Sequence, residues 1–267
     1  MSVTERYLNA WEGYWGAFSG VPGEAIWDSD PEPAAEAHPA LLALPAELPL
    51  PVVDLGCGNG TRTRWLAGHF PRAIGVDLSR AAVEHARRAD REGLAAYERL
   101  DLVDTAAVRA LHERLGDSHV YLRAVIHQSD PEDRPAVAAA VAELVGARGR
   151  AFVVELEPAA KDVIAEAAGA PDGTAAGASG DVSGGTAVGT AVGTAEKFRR
   201  VFEYDLRPAA ASGGEVAGLL RGAGLAIRAE GATELAMTGF HPDGRRILLP
   251  AHWFVAERAG APAGGGG

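Results

Sequence analysis

The sequence predicts a doubly wound α/β fold, and three observations lead to this prediction. From residue 50 onward, short apolar runs alternate with segments of helical periodicity, which is typical of βαβ units and a mostly parallel sheet. A glycine-rich stretch at residues 52–60 follows the first apolar run and precedes the first helix of the series. Near the C-terminus, residues 241–244 place an Asp-Gly pair between two further apolar runs, which predicts an antiparallel hairpin.

The individual elements follow from where these patterns begin and end. Strands are predicted at residues 51–55, 72–76, 95–100, 120–126 and 151–156, with hairpin strands at 225–237 and 246–257. Helices are predicted between the parallel strands at residues 61–69, 79–92, 105–115 and 131–145. The last of these helices has Asp130 at its N-cap and Pro131 in its first turn, positions where both residue types are favoured.

Aromatic residues mark the N-terminal segment, residues 1–47, which precedes the first strand. Four of them, Tyr7, Trp11, Tyr14 and Trp15, recur at spacings of 4, 3 and 1. This spacing places them on one side of a helix. Such a stripe either packs on the core or lies across the mouth of a binding site, and one cap segment can do both.

Two segments have compositions that do not favour a packed core. Residues 167–195 are mainly Gly, Ala, Thr and Ser, and they repeat Thr-Ala-Val-Gly in tandem. They bury too little apolar surface to offset their ordering entropy, so a flexible insertion is predicted, as a spacer or a lid, with the spacer favoured. The tail, residues 258–267, is predicted to be disordered. The main domain is therefore expected to span residues 48–257.

Composition also bounds the function. The chain has 267 residues, a formal net charge of −11 and no run of Lys or Arg, which argues against nucleic acid as the main partner. Its N-terminus lacks the pattern of a signal peptide, and no apolar run approaches the roughly 20 residues that cross a bilayer. A cytoplasmic protein without membrane contact is expected. Only two of the 25 basic residues are lysine, which indicates a GC-rich bacterial genome.

The most informative motif is the loop at residues 52–60, which reads Val-Val-Asp-Leu-Gly-Cys-Gly-Asn-Gly. Glycine lacks a Cβ atom, so such a loop can bring backbone N–H groups close to a ligand. A nicotinamide-binding loop reads Gly-x-Gly-x-x-Gly and holds a pyrophosphate. Here Asp54 stands before the first glycine, where its carboxylate would repel a pyrophosphate and suits an ammonium group.

This loop resembles the first motif of the class I S-adenosylmethionine-dependent methyltransferases, and the resemblance covers about residues 50–257 apart from the insertion. It implies a Rossmann-like, seven-stranded, mostly parallel sheet with an antiparallel C-terminal hairpin and helices on both faces. It also implies S-adenosyl-L-methionine as the cofactor. The loop residues that would hold this cofactor are Asp54, Gly56, Cys57, Gly58, Asn59 and Gly60.

Two further acids fit the same resemblance. Asp77 ends the second predicted strand, 23 positions after the acid of the glycine loop. A carboxylate there accepts hydrogen bonds from both hydroxyls of a ribose, the alternative being a solvated acid at a strand end. Leu78 would then lie against the adenine. Asp101 would accept from the adenine amino group and Leu102 would contact the base through its backbone, whereas Asp104 has the position of a helix cap.

The fourth predicted strand contains Arg123 and leads to His127. By the resemblance, Arg123 passes beneath the methionine part of the cofactor, mostly through its backbone. His127 is similar to the histidine after this strand in small-molecule O-methyltransferases, where the pattern is Leu-His-Asp-Trp. Here Gln128 and Ser129 follow instead, so the match is partial. His127 either takes a proton from a hydroxyl during methyl transfer or only lines the pocket or caps the next helix.

No other catalytic pattern is present in the sequence. The eight histidines and the lone Cys57 show no metal-ligand spacing, and no Gly-x-Ser-x-Gly motif occurs. Cys57 is therefore predicted to be a small packing residue, and no metal is expected.

The favoured hypothesis is a methyltransferase of secondary metabolism that acts on an oxygen of a small molecule. His127 is its candidate base, and Tyr14, Trp15 and Trp27, together with His127, are expected to contact the acceptor. Methylation at N or C, a protein that binds S-adenosylmethionine without transferring its methyl group, and a nicotinamide-dependent oxidoreductase are the alternatives. The sequence indicates neither the identity of the acceptor nor the oligomeric state.

Overall fold

The computed structural model describes residues 3–29, 39–169, 193–206, 211–241 and 243–260. Its strands are β1 (Val52–Leu55), β2 (Ala73–Asp77), β3 (Ala96–Arg99), β4 (His119–Arg123), β5 (Arg150–Leu156), β6 (Leu225–Phe240) and β7 (Arg246–Arg258). They form a seven-stranded sheet in the order β3-β2-β1-β4-β5-β7-β6. The first five strands are parallel, and β7 is antiparallel to both of its neighbours. The predicted fold class is confirmed.

Helices cover both faces of this sheet. They are α1 (Val3–Gly16), α2 (Pro39–Glu47), α3 (Thr61–Ala67), α4 (Arg80–Ala89), α5 (Thr105–Leu115), α6 (Arg134–Val145), α7 (Ala160–Gly169), α8 (Thr194–Glu203) and α9 (Gly213–Gly222). Neighbouring residues of one strand point to opposite faces. Phe152 and Val154 of β5 pack in one apolar cluster with α1, α2, α7 and α8, whereas Val153 packs in the other with α5, α6 and α9.

The fourth strand is shorter than predicted. It ends at Arg123, and Ala124 then has a left-handed backbone with φ of 59°. A short 3-10 helix, Ile126–Gln128, follows. The N–H groups of Val125 and Ile126 donate to the Glu155 carboxylate at 2.8 and 2.6 Å instead of to a neighbouring strand. Glu155 thus accepts the backbone hydrogen bonds of the turn that follows β4.

The helix predicted at residues 131–145 begins at Arg134, so the predicted N-cap was wrong. Asp130 does not cap it, because its carboxylate accepts from Arg6 at 3.1 Å and so connects this loop to α1. Asp133 is the residue that precedes the helix, with a proline in the first turn. In contrast, Asp104 caps α5 as predicted, since its carboxylate accepts from the N–H groups of Ala106 and Ala107.

The two ends of the predicted insertion, residues 167–195, belong to helices. Residues 167–169 belong to α7 and residues 194–195 to α8. Residues 170–192 and the tail after residue 260 lie outside the described residues, so flexibility there stays a prediction. Within the described ranges, no helix is both long and apolar enough to cross a membrane.

The N-terminal helix lies across the carboxyl edge of the sheet. Glu12 accepts from the Ser79 hydroxyl at 2.7 Å and from the Ala81 N–H at 3.2 Å, at the start of α4. His85 of α4 lies 3.0 Å from the carbonyl oxygen of Trp15. These bonds hold the aromatic side of α1 against the loops that follow β1 and β2.

Candidate functional site

A cavity of about 230 Å³ lies at the carboxyl ends of the parallel strands. Ligands bind at this edge in open α/β sheets, because the loops that follow the strands converge there. Thirteen of the predicted site residues lie in its wall. They are Trp15, Trp27, Asp54, Gly56, Cys57, Gly58, Asn59, Asp77, Leu78, Asp101, Leu102, Arg123 and His127.

Two predicted site residues do not lie in that wall. Tyr14 is 5% exposed and packs behind it, with its ring centroid 5.3 Å from Trp15 and 5.2 Å from Trp27. Gly60 is the N-cap of α3, with a φ of 76°, and a Cβ there would lie 2.8 Å from Ala86 and Tyr97. Both residues therefore pack inside the protein. The helical spacing identified the correct side of α1 but not which ring reaches the cavity.

The glycines of the loop allow protein side chains to approach it closely. Gly56 and Gly58 have φ values of 72° and 54°, which L side chains rarely adopt. A Cβ at Gly56 would lie 2.6 Å from Val125, and one at Gly58 would lie 2.8 Å from the Trp15 ring. The N–H groups of Gly56 and Cys57 donate to the carbonyl oxygen of Val76. The expectation that these N–H groups face a ligand was therefore wrong for this part of the loop.

Asp77 connects the loop to β2. Its two carboxylate oxygens each accept a backbone bond of 2.9 Å, one from Gly58 and one from Ser79. Burial raises the pKa of this carboxyl to about 6. A carboxylate oxygen has a second lone pair, so Asp77 keeps acceptor capacity toward the cavity that it lines.

Asp54 is held by a residue that the sequence reasoning missed. Its carboxylate is 3% exposed and accepts from the hydroxyl of Thr63 at 2.6 Å. Gly75 of β2 leaves the space for this hydroxyl, since a Cβ there would lie 2.8 Å from it. Burial raises the pKa of Asp54 to about 6 although the hydrogen bond opposes the shift. Thr63 therefore keeps part of the charge on this carboxyl.

A charged group of four side chains, Asp28, Asp54, Arg62 and Arg123, lies together in the cavity wall. Asp28 accepts from the amide of Asn59 at 2.6 Å. Arg123 donates to the carbonyl oxygen of Trp27 at 3.3 Å. We call this set the polar end. Sequence reasoning had identified only Asp54 and Arg123 of the four.

His127 forms a buried pair with Glu155. The imidazole Nδ1 lies 2.6 Å from the Glu155 carboxylate, and both side chains are 1% exposed. On its other side, the Nε2 atom lies 3.1 Å from the amide nitrogen of Gln128. An amide nitrogen only donates, so Nε2 accepts and Nδ1 carries the proton. Glu155 was missed, although a lone acid within the apolar run at residues 150–156 was a signal.

Another part of the cavity wall is apolar. Its residues come from β4, β5, α7, α8, the β6–β7 hairpin and the segment before β1. The residues are Ile26, Tyr121, Leu156, Ile164, Phe198, Val201, Phe202, Leu235, Met237 and Leu249, all within one apolar cluster. We call this set the apolar end.

Hydrogen bonds through Thr238 of β6 connect this strand to the N-terminal segment and to α8. The Thr238 N–H donates to the carbonyl oxygen of Ile26 at 2.7 Å. Lys197 of α8 donates to the Thr238 hydroxyl at 3.0 Å, so its ammonium is directed away from the cavity wall. The segment before β1, α8 and β6 thus form one connected wall.

Cys57 lies in the wall beside the glycines but is mostly buried. It packs with Val83, Ala86 and Tyr97. Burial raises the pKa of its thiol well above the ordinary value, which disfavours the reactive thiolate. The described residues include no group of three or more His, Cys, Asp or Glu placed to hold a metal.

Comparison with known proteins gives consistent matches. A family model for a methyltransferase domain matches residues 52–149. Trans-aconitate 2-methyltransferase from Methylobacterium radiotolerans is 45% identical over 62 residues, which cover 22% of this chain and 23% of that protein. The chain thus matches about a quarter of the length of this curated relative.

Solved structures match over much more of the chain. A SAM-dependent methyltransferase from Anabaena variabilis has a TM-score of 0.77 and 25% identity, over 97% of this chain and 96% of that one. Magnesium protoporphyrin IX methyltransferase from Synechocystis PCC 6803, with bound SAH, has a TM-score of 0.51 and 18% identity, over 86% and 84% of the two chains. The first match includes the segment before β1, the loops and the hairpin that together enclose the cavity.

Proposed function

Because the chain belongs to the class I S-adenosylmethionine-dependent methyltransferases, we propose that it transfers a methyl group from S-adenosylmethionine to a hydroxyl oxygen of an apolar small molecule. The observation that carries the proposal is that one cavity joins the glycine loop, the His127–Glu155 pair and the apolar end. The sulfonium of the cofactor supplies an electrophilic methyl group. The protein must then hold the acceptor in line and take up its proton.

The residues of the cavity fit this cofactor. Asp77 retains acceptor capacity for a ribose diol, and the polar end offers both carboxylates and guanidiniums. Trp11, Trp15 and Trp27 present aromatic rings in the same wall, which attract a cation through their faces. Segment 1–47 would act as the cap over this site.

His127 is proposed as the base. Glu155 holds the proton on Nδ1, so that the Nε2 lone pair is free to accept a second proton. An acceptor hydroxyl would replace the amide of Gln128 at Nε2 and deliver its proton there. The Glu155 carboxylate would stabilise the imidazolium that results, because a buried cation needs a nearby anion.

The apolar end limits the acceptor to neutral compounds. A carboxylate or ammonium among Leu156, Phe198 and Met237 would lose its hydration without gaining a partner. A neutral hydroxylated ring or chain loses much less hydration free energy in this part of the wall. Its hydroxyl would contact His127. This argues against a tricarboxylate such as the one in the name of the curated relative. We propose a role in bacterial secondary metabolism, in the cytoplasm.

The test uses two compounds that differ by one carboxylate, 1-naphthol and 1-hydroxy-2-naphthoate. The protein is incubated with S-adenosylmethionine and each compound, and both S-adenosylhomocysteine and the methylated product are quantified by mass spectrometry. The expected product is the methyl ether of 1-naphthol, with little turnover of the naphthoate. His127→Ala should suppress this product while binding of S-adenosylhomocysteine is retained.

Three outcomes would contradict the proposal. A methyl group found on nitrogen or carbon across a wider acceptor panel would favour a different methyl transfer. Binding of S-adenosylmethionine without any product from neutral hydroxyl compounds would favour a binding protein. Hydride transfer with NAD and no affinity for S-adenosylmethionine would favour an oxidoreductase, although the Gly-x-Gly-x-x-Gly loop is absent from residues 52–60.

A further inference from the structure

We infer that the Arg123 side chain, with Arg62 beside it, binds a carboxylate, and that this is the α-carboxylate of the methionine part of the cofactor. The inference rests on the cofactor of the proposed function and is independent of the acceptor. It gives the Arg123 side chain a contact with the methionine part that the family resemblance assigns mostly to the backbone.

Arg123 has donors that nothing in the described protein satisfies. Its Nη1 donates to the carbonyl oxygen of Trp27 at 3.3 Å. Its Nε is buried and has no hydrogen-bond partner among the described residues. A guanidinium carries five N–H donors in a planar fork. Burial lowers the pKa of Arg123 to about 9, which reflects the cost of holding this cation away from water.

A second guanidinium faces the same cavity. Among the described residues, Arg62 donates to the backbone and hydroxyl oxygens of Ser29, both at 3.3 Å. It is close enough that its charge further lowers the pKa of Arg123. Two cations that repel each other in a cavity wall are stabilised when an anion lies between them. A carboxylate matches the planar fork of a guanidinium with two parallel hydrogen bonds.

The surroundings indicate which carboxylate this is. Arg123 is the last residue of β4, and β4 pairs directly with β1, which carries Asp54 and leads into the glycine loop. Asp28 and Asp54 lie near enough to act on Arg123 electrostatically, yet each has its own neutral donor. The polar end therefore presents two carboxylates and two guanidiniums that are not paired with one another.

That arrangement is complementary to a zwitterion. The ammonium of a methionine moiety suits the carboxylates, and its carboxylate suits the guanidiniums. An acceptor is a less suitable source of the carboxylate, because the part of the wall attributed to it is apolar. The cofactor is thus the ligand in the cavity whose charges match both signs.

The experiment compares two ligands that differ by this carboxylate. S-adenosylhomocysteine and its decarboxylated analogue, which keeps the amine, are titrated calorimetrically into the wild type, Arg123→Met and Arg123→Lys. The wild type should prefer S-adenosylhomocysteine by about 10- to 100-fold, as expected for a charge-assisted hydrogen bond. Arg123→Met should abolish this preference by weakening only S-adenosylhomocysteine. Arg123→Lys should retain part of it.

The matched control is Arg64→Met. Arg64 is on the same helix as Arg62 but donates to the Asn59 carbonyl oxygen and the Thr61 hydroxyl, and it does not line the cavity. This variant should keep the wild-type preference. Thermal melting of every variant establishes that it is folded.

The results separate the inference from its rivals. Equal weakening of both ligands in folded Arg123→Met would overturn it and leave Arg123 a purely structural role. Unchanged binding of both ligands, with loss of turnover only for carboxylated acceptors, would also overturn it and assign the carboxylate to the acceptor. If the wild type bound neither ligand, the assignment of S-adenosylmethionine as the cofactor would be wrong. The other two outcomes leave that assignment intact.

Discussion

The Nδ1 atom of His127 and the Oε2 atom of Glu155 are 2.6 Å apart in a place that water scarcely reaches, each side chain being 1% exposed. The other carboxylate oxygen of Glu155 accepts from the backbone of Val125 and Ile126. One acid therefore shapes the turn after β4 and sets the tautomer of the histidine. Because the two tasks use different oxygens of the carboxylate, a substitution that keeps one oxygen can separate their effects on folding and on proton transfer.

Glu155→Gln is expected to lower kcat by about 100-fold with little change in the affinity for S-adenosylhomocysteine. The amide oxygen keeps the backbone bonds to Val125 and Ile126, which directs the amide NH2 group toward His127. Nδ1 then accepts and Nε2 carries the proton, so the imidazole cannot act as a base. Steady-state kinetics with an acceptor that the wild type methylates measures kcat. Calorimetry measures the affinity for S-adenosylhomocysteine.

The double variant His127→Ala with Glu155→Gln supplies the control. If the two residues act as one unit, the double variant should be about as slow as His127→Ala alone. Independent, multiplicative losses would contradict the pairing. A Glu155→Gln variant that also lost cofactor binding would indicate that the turn after β4 had been disrupted.

Thr63→Val is expected to lower the free energy of unfolding by about 1–3 kcal/mol at pH 7.5. Valine fills the same space but removes the hydroxyl that donates to the buried Asp54 carboxylate. The pKa of Asp54 should rise further, and binding of S-adenosylhomocysteine should weaken. Urea unfolding and calorimetry test both effects. Thr63→Ser keeps the donor and should lie closer to the wild type in both measurements; similar losses in the two variants would attribute them to packing.

Gly58→Ala is expected to destabilise the fold by about 1–3 kcal/mol. The backbone at Gly58 has a φ of 54°, and the new Cβ would lie 2.8 Å from the Trp15 ring. Displacement of that ring should also weaken cofactor binding. Gly218→Ala is the matched control, because Gly218 is an exposed helical residue with nothing within 4 Å of a new Cβ. It should raise stability by about 0.5–1 kcal/mol in the same unfolding assay.

The sequence was sufficient to predict the sheet and the loops that follow its strands. Alternating patterns place Asp54 and Asp77 at strand ends, and parallel strands bring their carboxyl ends to one edge. The convergence of the cavity wall is thus a consequence of topology. Topology alone does not predict contacts between side chains that are distant in sequence.

Glu155 illustrates why the remaining contacts were missed. It lies 28 residues from His127, and the two meet only because β4 and β5 pair in a particular register. Strand patterns define which residues face the core but not the register between strands. Tyr14 shows the same limit on a helix, where the aromatic spacing defines a side but not which ring reaches the cavity.

Affinity for S-adenosylhomocysteine is expected to fall by about 10- to 100-fold between pH 7 and pH 5. The pKa values of Asp54 and Asp77 are each raised to about 6 by burial, from an ordinary value near 3.8. Both carboxyls therefore take up protons as the pH falls through 6, whereas the bound ammonium and ribose hydroxyls need them ionised. Calorimetry at several pH values in buffers of different ionisation enthalpy should also detect proton release on binding below pH 6.

Lowering the pH is expected to change the stability of the free protein in the opposite direction to its cofactor affinity. Since these two pKa values are raised on folding, the free protein gains stability from these groups as the pH falls from about 6 to about 4. Glu24 acts in the other direction, because its hydrogen bonds to Ser19 and Arg200 lower its pKa despite burial. The relevant measurement is thus the difference between wild type and Asp54→Asn, in which the Asp54 contribution is absent. If that difference in unfolding free energy did not change between pH 4 and pH 7, the result would contradict a raised pKa for Asp54 in the folded protein.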